Sequence, residues 1–338
     1  MLTGAPRLAA ATALVATTSV VVYLLLRRRR VRCGRLPRVL ACYPCEVHGR
    51  PWYRHVVVTE QATDGRTVTR GLHLGSAANT PESVVRLERI ADELQPMASV
   101  LEKAYAPFAL LPFALVPDSG FAPDSRACLI GVAGGSLLHC WLGCVPGGDT
   151  LRVDAVELDG AVLRAAREHL GLGCCERTGR VALHQADGVA FLAAAEDEVY
   201  DVLMIDLDMG SLFRAGEGAR AARQAARDVY RVLSERGLLI VNEYSESAAH
   251  ERIEAMLRSV RALRHHFAEV HVVRTTPHNL LFVATVERAA LPGGGGGPAT
   301  FERLCAAADG IRFGGGLEVD LGQKLRGLGA KSWFCSPS

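Results

Sequence analysis

Apolar residues recur along this chain in short blocks, and their spacing changes from two to three or four as the chain proceeds. Over residues 52–74 apolar and β-branched positions alternate with polar ones. The tetrapeptide Ala62-Thr63-Asp64-Gly65 interrupts the alternation, which predicts a β-hairpin. Residues 81–105 have helical spacing, with Thr80 placed to cap and Pro81 at the first position, so an amphipathic helix is expected there. From residue 127 to 286 strand-like and helix-like blocks alternate. The last two strands, 269–274 and 280–287, follow each other without a helix and should close an antiparallel hairpin. This pattern predicts an α/β fold: a Rossmann-like sheet of seven strands behind a small β-hairpin region. Residues 31–48 read as a connector, Gly293 to Gly297 as a flexible linker, and 301–308 as a short helix in the tail.

The chemistry concentrates at the start of the alternating region. An apolar strand, 128–132, runs into the turn Gly131-Val132-Ala133-Gly134-Gly135, then a helix at 136–144, then a second apolar strand ending in Glu157 and Asp159. Small residues let a ligand approach the backbone, and an acid ending the next strand can accept ribose hydroxyls. The third glycine of G-x-G-x-x-G is missing. The compact turn suits a nucleoside without phosphates better than a dinucleotide pyrophosphate. Two further strands end in acids, Asp187-Gly188 and Asp206-Leu207-Asp208. Ligands of open α/β sheets bind outside the carboxyl ends of the strands, so Glu157, Asp187, Asp206 and Asp208 should face one crevice.

These segments (AGGSLL, VDAVELD, HQADG, YDVLMIDLD and GLLIVNEY) resemble the spermidine-synthase-like branch of the class I methyltransferase family. Within it they are similar to the carboxyl-terminal domain of the elongation-factor-1-alpha lysine and N-terminal methyltransferases. The resemblance implies S-adenosyl-L-methionine as cofactor, held by Gly131, Ala133, Gly135, Glu157, Asp187, Gly188 and Asp206. Glu157 would take the ribose hydroxyls, Asp187 the adenine amine, and Asp206 would sit beside the reacting centre, with Asp208 as a second catalytic candidate. It also implies a protein amine as acceptor, a translation factor being one such substrate; assembly as a homodimer is compatible with it. Two departures stand out. Ala133 occupies a position where glycine is usual, and Asp206-Leu207-Asp208 replaces the D-x-x-D of aminopropyltransferases, turning the second acid to the other side of an extended chain. The lost D-x-x-D argues for methyl transfer over polyamine synthesis, and so does the upstream glutamine of polyamine synthases, for which residues 71–83 offer only Asn79. An aminopropyltransferase and an inactive binding relative remain the rival readings.

Composition changes the picture at the amino end. The first 39 residues hold eight arginines and no acid, leaving 30 basic against 36 acidic residues beyond them. A folded part of that sign is a poor general nucleic-acid binder. Residues 8–26 form an uncharged apolar run closed by four arginines. Its length predicts a membrane anchor with the catalytic domain facing the cytosol, a mitochondrial targeting segment being the alternative. The expected organisation is therefore anchor or targeting segment 1–30, connector 31–48, hairpin-plus-helix region 49–125, cofactor domain 126–290, and linker and tail 291–338. Of ten cysteines, Cys42 and Cys45 form a lone C-x-x-C without the second pair of a structural zinc site, so no metal is expected. Cys174-Cys175 read as loop.

Overall fold

The computed structural model describes residues 37–47, 53–97, 109–110, 121–207, 219–244, 260–274 and 279–286, with short pieces at 305–306, 309, 323, 326 and 333–335. Two sheets organise them. The first is an antiparallel meander in the order β1-β2-β3-β4-β5, built from Arg38–Pro44, His55–Ala62, Thr67–Leu74, Ser83–Ile90 and Glu93–Pro96. The second has eight strands in the order β13-β11-β12-β10-β9-β6-β7-β8. Its strands are β6 Arg126–Ile130, β7 Arg152–Glu157, β8 Val181–Gln185, β9 Tyr200–Ile205, β10 Leu233–Tyr244, β11 Glu269–Arg274, β12 Asn279–Thr285 and β13 Trp333–Cys335. The helices connecting the parallel strands are α1 Ser136–Cys144, α2 Gly160–His169, α3 Leu172–Arg177, α4 Gly188–Ala194 and α5 Ala219–Arg231.

β6 pairs in parallel with β7 on one side and β9 on the other, so the strand order reverses there. That reversal opens a crevice at the carboxyl ends of the strands, the place where doubly wound sheets take ligands. β12 runs antiparallel to both β10 and β11, as the missing helix between the last two blocks led one to expect. The eighth strand is a departure from the seven expected: β13, from the tail beyond the glycine run, pairs antiparallel with β11.

The β2–β3 hairpin forms as its alternation predicts. Asp64 Oδ1 accepts from the amides of Arg66 and Thr67 at 2.8 and 2.6 Å, an Asx turn that fixes the reversal. The helix expected over 81–105 does not form in its described part. Residues Ser83–Ile90 and Glu93–Pro96 are strands joined by Ala91 and Asp92, both at positive φ (45° and 71°). Two consecutive positive φ values make the tight hairpin turn whose twist matches paired strands. The period-two burial of Ser83, Val85 and Leu87 outweighs the apparent helical spacing. The connector likewise contains a strand, since Arg38–Pro44 pairs along β2. Cys174 and Cys175 lie on the short helix α3, not in a loop, and Cys175 Sγ packs 3.3 Å from His139 Nδ1.

The meander is part of the main core. Val56, Val58, Leu72, Val85 and Leu87 join Leu129, Val153, Val162 and Ala165 in one buried cluster. Each fully buried aliphatic side chain contributes roughly 1.5–3 kcal/mol, so the two sheets fold onto each other at substantial gain. A polar lock sits over this junction. Arg70 makes a two-pronged contact with Glu60 and donates to the carbonyl of His169, while Tyr43 Oη donates to Glu168 Oε2 at 2.6 Å.

The membrane anchor is corrected. Among the described residues no helix is long and apolar enough to cross a membrane. The run 8–26 on which the anchor and its cytosolic orientation rested lies outside the described residues, as do Asp208, the end of the helix expected over 81–105 and most of the helix expected at 301–308.

Candidate active site

The crevice is assembled from the strand ends in turn. At the end of β6, Gly131 has φ +89°, and its amide donates to Val156 O at 2.8 Å. A Cβ there would stand 2.2 Å from the carbonyl oxygen of Asp206, so only glycine permits this approach of β6 to β9. Ala133 follows at φ 46°, a left-handed conformation that an L-residue with a Cβ adopts at a cost of about 1–2 kcal/mol. Gly135, at φ +79°, precedes α1, and the space a Cβ would take is filled by the Leu172 side chain. Gly131 therefore borders the crevice, whereas Gly135 serves the packing of α1 against α3.

Glu157 ends β7 and is held by backbone. Its Oε2 accepts from Ala133 N at 3.2 Å, and its Oε1 accepts from Leu158 N at 2.9 Å and Asp159 N at 3.1 Å. Burial nevertheless pushes the Glu157 carboxyl above the usual range, against the pull of those three amides. Asp187, exposed at the end of β8, caps α4 by accepting from Ala190 N at 3.0 Å. Beside it, a Cβ on Gly188 would stand 2.4 Å from Ile130 Cγ2, so glycine is needed where α4 meets β6. Asp206, half-buried at the end of β9, accepts from Asn242 Nδ2 at 2.8 Å, and its amide donates to Ile130 O at 2.8 Å. Its carboxyl is raised to about 6, chiefly by burial and further by the Glu82 and Glu157 carboxylates, while the Asn242 bond works the other way.

A cleft of about 290 Å³ runs between these strand ends. Glu157 and Asp187 supply its acids; Ile130, Val156, Val189 and Leu207 supply apolar wall. A larger cleft of about 590 Å³, bordered by Asp197, Glu198, Tyr230, Arg231 and Glu235, lies by the starts of β9 and β10. That is the amino end of the parallel strands, away from the strand-order reversal. Thus Glu157, Asp187, Gly188 and Gly131 meet at one cleft, Asp206 stands at its β9 side, and Ala133 reaches it through the amide on Glu157.

Several side chains here escape a reading of the strand ends alone. Tyr53 and Val47, from the amino-terminal region, line the same cleft. Tyr53 Oη donates to Asp159 Oδ2 at 2.8 Å, and buried Asp159 also accepts from the amides of Glu46 (3.1 Å) and Ala161 (2.9 Å). Asp159 thereby caps α2 and pins the amino-terminal region to the cleft. Ser83, on β4, accepts from Gly134 N at 3.0 Å, inside the glycine turn. Asp159 carried a signal as an acid at a strand end, and Tyr53 as a position in the alternating segment 52–74; Ser83 lay in a segment whose helical spacing masked its strand.

The strand order, the reversal at β6 and the acids at successive strand ends define a class I methyltransferase-type fold. Within it, residues 149–291 match the family model described as the spermine/spermidine synthase domain. The chain is 26% identical over 218 residues to an eEF1A lysine and N-terminal methyltransferase of Xenopus laevis, covering 55% of this chain and 31% of that protein. It is 31% identical over 90 residues to a polyamine aminopropyltransferase of Clostridioides difficile, covering 26% of this chain and 31% of that one. The chain thus spans about a third of the length of the curated relatives it matches. A probable spermidine synthase from Corynebacterium glutamicum shares the fold, with a TM-score of 0.56 at 14% identity over 87% of this chain and 95% of that one.

Proposed function

We propose that this protein is a methyltransferase that uses S-adenosyl-L-methionine and acts on a protein amine, a lysine side chain or an amino terminus. One observation carries the reading: a half-buried carboxylate, Asp206, stands beside a cleft whose walls are apolar and whose floor carries Glu157 and Asp187. The cleft suits the cofactor's nucleoside. Three amides take three of the roughly four lone-pair sites of the Glu157 carboxylate, two on Oε1 and one on Oε2, and leave capacity on Oε2 for a ribose hydroxyl. Asp187 is exposed beside Val189 and Ala186, where a flat purine edge can reach it. The glycines at 131 and 188 keep the walls free of Cβ atoms. Bound there, the cofactor would supply an electrophilic methyl group on a sulfonium.

The chain's own part in the chemistry is placement and charge. Methyl transfer to an amine needs a neutral nitrogen held in line at about 3 Å, and little covalent help. Asp206 orients that amine and receives its proton or directs it to water, a role that its raised carboxyl fits near neutral pH. The Xenopus relative's name gives both amine classes, lysine and the amino terminus, which is why a protein amine is preferred here. An aminopropyltransferase is the second reading, favoured by the family model and by the Clostridioides relative. Calorimetric titration separates the two. Binding of S-adenosylmethionine supports methyl transfer. Preference for the decarboxylated form supports aminopropyl transfer, and binding of neither overturns both. Labelled cofactor incubated with cell protein then tests the acceptor class: label in protein is expected, and label confined to a small diamine would overturn the protein-amine reading.

A further inference from the structure

Two neighbouring helical segments gather positive charge on one surface, and none of the residues concerned lines the cofactor cleft. On α5, Arg220, Arg223 and Arg227 follow each other at three- and four-residue spacing and are all exposed. That spacing places them on one side of the helix. The helical residues 260–264 and the turn after them lie alongside. Tyr230 of α5 stands 5.9 Å from the His266 ring and 5.3 Å from the Phe267 ring, centroid to centroid. Arg261 and His265, four positions apart, are exposed on that second segment.

A solvated helix face usually mixes signs, because like charges three or four residues apart destabilise the helix. Here the one acid on the two segments, Asp228, is turned to Gln224 and Arg231. Among the described residues, Arg220, Arg223, Arg227 and Arg261 have neither a hydrogen bond nor an ion pair. Two of them also oppose the helix dipole. α5 starts at Ala219 with no acid in its first turn, so Arg220 and Arg223 stand at its positive end. His266 titrates below its ordinary value, chiefly because it is buried and further because Arg227 and His265 repel its proton. An anion laid on this surface would relieve each of these repulsions.

The surface is short and bounded. From Arg220 to Arg227 the helix rises about 10 Å. Past Tyr230, the second cleft presents Asp197, Glu198 and Glu235. A nucleic-acid strand continuing along α5 would run into those carboxylates, and the chain beyond residue 39 carries 36 acidic against 30 basic residues. A few carboxylates on a short segment meet no such obstacle, and each can take a guanidinium through two parallel hydrogen bonds. We infer that the exposed face of α5, with Arg261 and His265 beside it, is a docking surface for a short acidic segment of a partner protein. This goes beyond the transferase reading and holds whichever cofactor the cleft binds.

The test uses the full chain as the parent protein, as the combined variant Arg220→Gln, Arg223→Gln, Arg227→Gln, and as the same three positions changed to Lys. The substituted positions are exposed, and circular dichroism checks that each variant keeps the parental fold. Binding of a fluorescein-labelled oligoglutamate peptide is followed by anisotropy at low salt, beside a labelled oligouridylate of equal charge. The glutamine variant should bind oligoglutamate about tenfold more weakly than the parent, the sum expected of three exposed ion pairs. The lysine variant should recover part of the loss, since it keeps the charges but not the planar forks. Affinity unchanged in the glutamine variant would assign the binding to the arginines of the first 39 residues and overturn the inference. Absence of binding by the parent overturns it as well. Tighter binding of oligouridylate than of oligoglutamate, lost in the glutamine variant, would make the surface a nucleic-acid site and overturn the acidic protein partner.

Discussion

The amide of Ala133 donates to Glu157 Oε2 at 3.2 Å, so the glycine turn and the acid ending β7 are bonded to each other across the crevice mouth. Ala133 makes this bond from a left-handed backbone, φ 46°. A methyl group in that conformation costs about 1–2 kcal/mol, of which the extra freedom of glycine in the unfolded chain returns roughly half to one. Ala133→Gly should therefore raise stability by about 0.5–1 kcal/mol, read as a shift in the urea midpoint, without weakening cofactor binding. A loss of stability would mean that the methyl group packs usefully where it stands.

Gly131→Ala should do the opposite. The new Cβ would meet the Asp206 carbonyl at 2.2 Å, and φ is +89° besides. Backbone cannot yield as a flexible side chain does, so β6 and β9 must separate at the site. We expect a loss of about 2 kcal/mol or more in denaturant unfolding, with a displaced Asp206 carboxyl resonance. A variant as stable as the parent would show that the turn relaxes cheaply.

Much of this arrangement can be read in the sequence, for a physical reason. Parallel strands buried on both faces, such as Cys128 to Ile130, are continuous apolar runs, and a glycine or an acid just beyond each marks the ligand end of the sheet. Glu157, Asp187 and Asp206 were legible in that way. The amino-terminal sheet was not. Its strand β4 mixes Val84, Val85, Arg86 and Leu87 so that both two- and four-residue spacings fit, and only pairing with β3 selects the strand. With that strand misread, the Ser83 contact was invisible. Asp159 was legible as an acid at a strand end, but its Tyr53 partner lies 106 positions earlier. No local pattern encodes such a pair.

Tyr53→Phe tests that long-range tie. It removes the hydroxyl from buried Asp159 and leaves two amide donors on the carboxylate. A hydrogen bond to a charged group is worth about 1.5–3 kcal/mol, so unfolding free energy should fall by that order. Because the Tyr53 ring stays on the cleft wall, S-adenosylmethionine affinity should drop by less than about tenfold, and only through loosening of the rim. An unchanged denaturation midpoint would show that the Tyr53–Asp159 bond adds nothing.

Glu157→Ala tests the cofactor role. It removes an acceptor that binds three amides and, in the proposed complex, the ribose hydroxyls. Calorimetry should show at least about tenfold weaker S-adenosylmethionine binding in a protein whose circular dichroism is intact. Asp187→Ala should weaken binding less, since that acid is exposed and reaches only the purine edge. A folded Glu157→Ala protein with parental affinity would remove Glu157 from the site.

Asp206→Asn separates stability from function. The native carboxyl titrates near 6 against an ordinary 3.8, so the folded state keeps its proton to higher pH than the unfolded chain does. For an acid raised in this way, stability is undiminished below about pH 4 and falls as pH rises from about 4 to about 6. A shift of about two units corresponds to roughly 2–3 kcal/mol lost once the group is ionised. Asparagine keeps the shape and can still accept from Asn242, but it carries no charge to desolvate. At pH 7 the variant should therefore unfold with up to about 2 kcal/mol more free energy than the parent, and the two should converge near pH 4. Activity should move the other way. If the carboxylate orients the acceptor amine, parental kcat/KM declines below about pH 6 as Asp206 is protonated, whereas Asp206→Asn is slower by about 10²-fold or more. The variant should also lack that acidic limb, while cofactor affinity changes little. A variant that is both more stable and fully active would leave Asp206 as a buried charge without a task and would move the search to the acceptor side of Asn242.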